Sequence, residues 1–559
     1  MIRIEEKDPI KLSGLSSLFI SFKYNQEIID IIKSSEKYIY DKKNYTWEVP
    51  CTSLAYLLDQ FTYVDDITLI LKKDGKEKVH YYPKLVSEYK IAPFKHQLEA
   101  IEWGLNQDNG LILDEAGLGK TATIIHLAEE LKVQKNLDHC LIICGINSLK
   151  ANWESEIKKH SNLTSRIIGK RINSRGKVSY ASIKERAAEL MHPIEEFFII
   201  INIESLRFDD IVQALRTTNN KIDMAVFDEA HKIANSTAAQ AKGLLKLTKF
   251  VHKIGMTGTL ITATPLNAYT PLKWIGIEKA NLTNFKSQYC VFGGFGGHQI
   301  VGYKNLNMLK DEIDSCSIRR TKDIIKDLPP KTIITEIVEM SDEHRKFYEN
   351  VKDGVKSECN KINLNTANVL ALTTRLMQAT ACPSILTTQD IVSSKIERAV
   401  ELCNEFISNG NKVVIMSTFK EPLNLLKILL KDYNPLLFTG DVSEDEFEKN
   451  KVKFQEDPKY KVALGTVSKA GTGLTLNAAS YMICLNTPWN AANQSQTENR
   501  IHRINNDSPA FIYRLICQDT IDERVNEIIE MKQAMSDYIV DDRMDEKASN
   551  ILKNYIQDL

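Results

Sequence analysis

At 559 residues the chain is too long for one ordinary hydrophobic core and implies three or four domains. Hydrophobic residues at 43% and charged residues at 26% exclude wholesale disorder. Lys and Arg total 72 against 73 for Asp and Glu, so the net field does not draw in a polyanion, and any nucleic-acid surface has to be a local patch.

The first 88 residues alternate short apolar runs, Leu18 to Phe22 and Ile67 to Leu71, with charged turns such as KKDG. They predict a small α+β module ending near Tyr81, Tyr82 and Pro83. From about Ile91 the apolar runs LILD, CLIIC, FFIIINI and MAVFD alternate with helical stretches, and each reads as a parallel strand covered on both faces. Between about 270 and 390 this rhythm stops: GGFGG at Gly293 to Gly297 and charged helical stretches from Ser341 to Met377 predict insertions and a linker. After Ser394 a second α/β rhythm runs through KVVIMS, PLLFTG, KVALGT, YMICLN and AFIYRL, and a charged helix from Asp522 to about Tyr538 closes it.

The expected partition is therefore a module over 1–88, a first lobe over 89–330 with an insertion after about 270, a helical linker over 331–393, a second lobe over 394–540 and a tail helix over 541–559. The ten cysteines are scattered without a paired CxxC pattern and read as reduced thiols. No run supplies the roughly 18 uncharged apolar residues of a membrane span, so a cytoplasmic protein with no membrane partner is expected.

The run GLILDEAGLGKTATIIHLAEELK places an apolar strand, a glycine-bearing loop and a helix in order, the context of a phosphate-binding loop. Gly117 and Gly119 let the backbone around Leu118 approach phosphate oxygens. Lys120 would neutralise the β/γ pair, and Thr121 would ligate Mg²⁺. Asp114 stands where the general pattern has its first glycine, and is expected at the nucleotide. Further on, KIDMAVFDEAHKI ends a strand in Asp228, Glu229, Ala230 and His231, at the carboxyl end where open α/β sheets bind ligands. Asp228 suits the metal shell and Glu229 the activation of water.

With these motifs in order, the sequence resembles the Swi/Snf branch of helicase superfamily 2 from Phe94 to Glu523. The resemblance implies an α/β fold of two tandem RecA-like lobes, parallel sheets covered by helices, with helical insertions and the small α+β module in front. IAPFKHQLEAIEW matches the adenine-reading segment, with Gln97; LIICGINSLKANWESEI matches the segment bearing Ser148, Trp153 and Glu156; GMTGTLITATPLNAYTPLKW carries the coupling motif as Thr257, Gly258 and Thr259, with which His231 is grouped. SIRRTKDIIKDLPPK looks like the basic segment before the linker. KVVIMSTF and FTGDVSEDEFEKNKVKFQ match two segments of the second lobe. SKAGTGLTLNAA, with Gly471, Thr472, Gly473 and Leu474, resembles the glycine-rich motif that faces nucleotide and DNA.

NTPWNAANQSQTENRIHRI resembles the final motif and sets Gln496, Arg500 and Arg503 on one helix, where the two arginines, three apart, would face the same way as arginine fingers. The departures are Leu260 and Ala263 for Pro and Asn after the coupling motif, Asn505 and Asn506 for Gly-Gln, and Phe447 in an Arg slot. They bear on coupling rather than on ATP chemistry.

Within the module, FKYNQEIIDIIKSSEKYIYDKKNYTWEVPCTSLAYLL resembles a HARP repeat, an accessory module of annealing helicases, with Tyr40, Asp41, Trp47, Val49 and Pro50 in place. That resemblance makes Lys42, Lys43 and Trp47 candidates for nucleic-acid contact, beside Ser148 and Thr472, while Trp47 serves equally well as core. The expected function is a DNA translocase driven by ATP with Mg²⁺, acting on duplex or forked DNA as a monomer. The alternatives are a strand-separating helicase on DNA or RNA and a nucleotide-gated scaffold without turnover.

Overall fold

The computed structural model describes residues 1–539, apart from 11, 13–15, 36, 74–75, 146–148, 173–177, 263, 326–328, 362–365, 471–475, 489–490, 503–507 and 537–538. Ser148, Ala263, Gly471, Thr472, Gly473, Leu474, Arg503, Asn505, Asn506 and the expected tail helix lie outside the described residues.

The N-terminal module is one sheet in the order Ile39–Asp41, Thr46–Pro50, Ser17–Ser21, Ile2–Lys7, Ile67–Lys73, Lys76–Tyr82. All its pairings are antiparallel except that of Ile2–Lys7 with Ile67–Lys73. Helices Gln26–Lys33 and Leu54–Phe61 cover it; the buried Ile28, Ile32, Leu57 and Phe61 pack on alternate strand residues Ile2, Ile4, Leu18 and Ile20.

Two parallel sheets follow. The first has seven strands in the order Ser317–Ile318, Asn109–Ile112, His252–Met256, Ile222–Asp228, His139–Cys144, Phe198–Asn202, Ser165–Ile167. Its central strands are buried along all of their length save the partly exposed His139, as a sheet with helices on both faces requires. The second has six strands in the order Lys331–Val338, Ala510–Cys517, Tyr481–Cys484, Val413–Ser417, Val462–Thr466, Leu436–Phe438.

The expected helical linker over 331–393 needs correcting at its start. Lys331–Val338 is a strand that runs parallel to Ala510–Cys517 for eight residues and forms the edge of the second sheet. It is an edge strand with alternating partial exposure, so its sequence carries polar residues and lacks the apolar run that marks a central strand. The helices Asp342–Lys361 and Thr366–Ala381 follow it. The glycine-rich stretch near 295 sits in an antiparallel hairpin, Cys290–Gly293 with Gln299–Tyr303. Among the described residues no helix is long and apolar enough to cross a membrane.

Candidate nucleotide cleft

The phosphate-loop strand Asn109–Ile112 feeds a loop that enters helix Lys120–Lys135 through Gly119, whose φ is +79°, with Gly117 at φ +100°. These left-handed angles favour glycine. A Cβ at Gly119 would also lie 2.5 Å from the Gln97 amide nitrogen. Gln97 is buried, donates to the Gly119 carbonyl at 3.2 Å and accepts from the Phe94 amide at 2.9 Å, while the His96 ring meets the Leu118 carbonyl at 2.8 Å. The expected adenine-reading segment thus also braces the phosphate loop. Lys120 donates to the Asp114 carbonyl at 2.7 Å and the Glu115 carbonyl at 3.3 Å. Burial pushes its ammonium below the ordinary value, opposed by the carboxylates of Glu229, Asp114 and Asp228.

Asp114 does not face the cleft with its side chain. Its carboxylate is fully buried and holds the Arg320 guanidinium, Nε to Oδ1 at 2.9 Å with Nη2 on Oδ2. The expected nucleotide contact is corrected to a buried ion pair, because a bidentate guanidinium 206 residues away takes the carboxylate. Arg320 also donates to the His96 carbonyl and Arg319 to the Leu113 and Gly258 carbonyls, so the basic segment straps the loop to the coupling motif.

At the end of strand Ile222–Asp228, Glu229 takes the left-handed conformation, φ +58° and ψ 56°, which is uncommon for a non-glycine residue and aims consecutive carboxylates apart. Gly145 makes room for this turn: a Cβ there would lie 2.8 Å from the Glu229 Cβ. The Asp228 carboxylate accepts from the buried Trp153 indole at 2.9 Å. Burial raises the Asp228 pKa, and the adjacent Glu229 charge adds to it. Burial would also raise Glu229, but the hydrogen bond and charge of His231, then Lys120 and Arg500, hold it below the usual carboxylate range. His231 Nδ1 lies 3.3 Å from Glu229 Oε2 and 3.0 Å from the Thr257 hydroxyl, which takes the Thr259 amide at 3.2 Å. Of the residues expected to couple, His231, Thr257 and Thr259 form one chain of contacts leading away from Glu229, while the Gly258 carbonyl instead accepts from Arg319.

The second lobe closes the cleft. Gln496 donates its amide to Glu229 Oε1 at 3.2 Å, and Arg500, buried, lines the same space of about 520 Å³ as Thr121, Asp228 and Glu229. One expectation fails here: helix Ala491–Glu498 ends before Arg500, so the arginine does not share its face. The Arg500 carbonyl accepts the Leu476 amide at 3.1 Å, and the buried Glu498 carboxylate holds Arg514, which commits this stretch to the lobe rather than to another helical turn.

Lys322 was not singled out from the sequence. It is buried, and its ammonium donates to Asn499 Oδ1 at 2.9 Å and to the His502 carbonyl at 2.8 Å, joining the basic segment beside Gly117 to the residues flanking Arg500. Only the density of basic residues in SIRRTKD could have hinted at it. Thr121 and Asp228 offer hard oxygen donors on one wall of the cleft, a set that fits Mg²⁺. In the N-terminal module Lys42 and Lys43 are exposed, whereas Trp47 is only 8% exposed and packs in the core against the Tyr40 ring at 4.8 Å. Burial removes the Trp47 face from any nucleic acid and corrects the expected contact.

This fold and this cleft define a class: a two-lobed protein of the phosphate-loop kind, with its candidate nucleotide cleft between tandem α/β lobes. Within that class the chain belongs to the SNF2-related family, since the SNF2-related domain matches residues 96–393, and the helicase conserved C-terminal domain matches residues 394–505. The two lobes are accordingly the RecA-like pair of that family. The chain is 26% identical over 540 residues to an uncharacterized ATP-dependent helicase of Mycoplasma pneumoniae, covering 93% of this chain and 49% of that protein. It is 28% identical over 454 residues to an uncharacterized ATP-dependent helicase of Mycoplasma genitalium, covering 79% and 41%. The chain thus spans about half the length of the curated relatives it matches. A solved structure, the Sulfolobus solfataricus SWI2/SNF2 ATPase core in complex with dsDNA, aligns with TM-score 0.38 at 22% identity, over 84% of this chain and 97% of that one.

Proposed function

We propose that this chain is an ATP hydrolase that uses Mg²⁺ and moves along duplex or forked DNA, remodelling or reannealing forks in the cytoplasm. The observation that carries the reading is the contact between Gln496 and Glu229, which joins the water-activating carboxylate of one lobe to the arginine-bearing segment of the other.

In this reading the loop amides from Gly117 to Gly119 and the Lys120 ammonium hold the phosphates, and Gln97 reads the adenine. Thr121 and Asp228 would hold Mg²⁺, which supplies charge neutralisation between the β- and γ-phosphates. Glu229, ionised and hydrogen-bonded by Gln496, orients a water on the γ-phosphate and takes its proton. Arg500, with Arg503, meets the charge that develops on the γ-phosphoryl oxygens, a contribution of about 10³ to 10⁵ in rate for such fingers. Because Arg500 belongs to the other lobe, hydrolysis depends on lobe closure, and the chain from His231 through Thr257 to Thr259 passes the change onward. The family resemblance assigns Gly471 to nucleotide binding and Ser148 and Thr472 to DNA contact. The N-terminal module is an accessory reader of DNA, with Lys42 and Lys43 on phosphate; the exposed Tyr45 beside them supports this.

The test is ATP turnover with Mg²⁺ alone and with single-stranded, duplex and forked DNA and with RNA, beside Glu229→Gln. Stimulation by duplex or forked DNA that the variant abolishes supports the translocase. Stimulation by single strands or RNA alone favours a strand-separating helicase, for which the exposed Val291, Phe292 and Ile300 on the hairpin of the first lobe would be the wedge. No turnover on any substrate leaves a nucleotide-gated scaffold.

A further inference from the structure

Trp153 is the largest fully buried side chain of the described residues, and the apolar layer around it includes Ile142, Ile157, Met224 and Val226. A buried indole N–H needs an acceptor. In this layer the acceptor is the Asp228 carboxylate, Nε1 to Oδ2 at 2.9 Å. Helix Leu149–His160, which carries Trp153, packs against strand Phe198–Asn202 and helix Lys120–Lys135, so the indole is held by a rigid framework rather than by a loop. Asp228 sits at the last position of its strand, where the backbone N–H of the following Glu229 also favours its carboxylate. The indole adds a side-chain anchor from the core side: it holds Oδ2 of a carboxylate whose residue lines the cleft.

We propose that Trp153 is a positioning residue for Mg²⁺ in this site, holding the Asp228 carboxylate in the orientation in which it would meet the metal. The inference rests on the ATPase reading above. It treats Trp153 as a partner of the metal's own ligand, and such outer partners contribute about 10- to 100-fold to metal affinity. Phenylalanine at 153 keeps an aromatic ring in the layer but removes the N–H together with part of the indole's bulk, so the loss of packing has to be read out separately.

The experiment is equilibrium binding of a fluorescent ADP to the full chain, first in EDTA and then across a Mg²⁺ titration, for the wild type, Trp153→Phe and Ile157→Val. Ile157 is one turn further along the same helix and equally buried, and serves as a packing control. For Trp153→Phe the affinity in EDTA should stay within about twofold, while the half-saturating Mg²⁺ concentration rises at least about tenfold; Ile157→Val should change neither. An unchanged Mg²⁺ dependence in Trp153→Phe, or an equal loss with and without Mg²⁺, overturns the proposal and makes Trp153 a packing residue only. If that variant does not fold, the wild-type chain answers with ¹⁵N-indole spectra of its five tryptophans. One indole N–H should move when Mg²⁺ is added to the ADP complex, and no movement overturns the proposal. A wild type without Mg²⁺-dependent nucleotide binding removes the parent reading as well, and that outcome is visible before any variant is compared.

Discussion

Replacing Asp114 with asparagine strips a buried guanidinium of its counter-charge. Asp114 is 0% and Arg320 8% exposed, and the pair is joined by two N–H contacts. Removing one partner of such a pair costs about 3–5 kcal/mol, because the remaining charge stays desolvated. In a lobe of this size each kcal/mol moves the unfolding midpoint by about 2–4 °C, so the first lobe should melt roughly 6–20 °C lower. The Asp114 carbonyl that accepts Lys120 is untouched by the change, so the KM for ATP at a temperature where the variant is folded should change less than about twofold, the main-chain contact being kept. The assay is a double-mutant cycle of Asp114→Asn and Arg320→Met followed by thermal and urea unfolding, with the double variant costing well under the sum of the singles. A coupling energy below about 0.5 kcal/mol would refute the ion pair. Unchanged stability with a raised KM would return the carboxylate to the nucleotide, as the loop pattern first indicates.

Lys322→Met removes the donors to Asn499 and His502 and should lower nucleic-acid-stimulated turnover by about 10-fold or more, the scale of a lost charged hydrogen bond, with ADP affinity unchanged. Unaltered stimulation would show that this cross-lobe contact does not matter. Burial pushes the Glu102 carboxyl up to about 7 from 4.5, against a hydrogen bond from Thr62. A group raised in the folded state stabilises it fully below about pH 4.5, and that contribution is lost as pH rises through about 7. Glu102→Gln should therefore flatten the stability profile between those limits and gain at most about 3 kcal/mol at pH 8, measured by denaturant melts; an unchanged slope would exclude the shift. Trp47→Ala should destabilise the N-terminal module by about 3–5 kcal/mol, whereas Tyr45→Ala, at 75% exposure, should stay within about 0.5 kcal/mol in module-resolved hydrogen exchange. Equal effects would contradict the packing.

The central strands were legible because a strand buried on both faces must be apolar along its length, and CLIIC, FFIIINI and MAVFD carry that signal locally. The glycine loop before helix Lys120–Lys135 and the carboxylate pair were legible for a similar reason: left-handed glycines before a helix, and acids at a strand's end, are constraints within a dozen residues. The short edge strands Ser317–Ile318 and Ser165–Ile167 escaped notice because an edge tolerates polar residues and needs only two or three positions.

What the sequence by itself determined was the identity of the chemical groups and the order of the two lobes. Tertiary structure alone decided their pairing: Asp114 with Arg320 across 206 residues, Lys322 with Asn499 across 177, Gln496 with Glu229 across 267. It also turned Trp47 inward and ended the helix before Arg500. Backbone periodicity and loop geometry are local properties of the chain, whereas a charge buried in a core takes whichever distant partner the packed sheets bring within hydrogen-bonding distance.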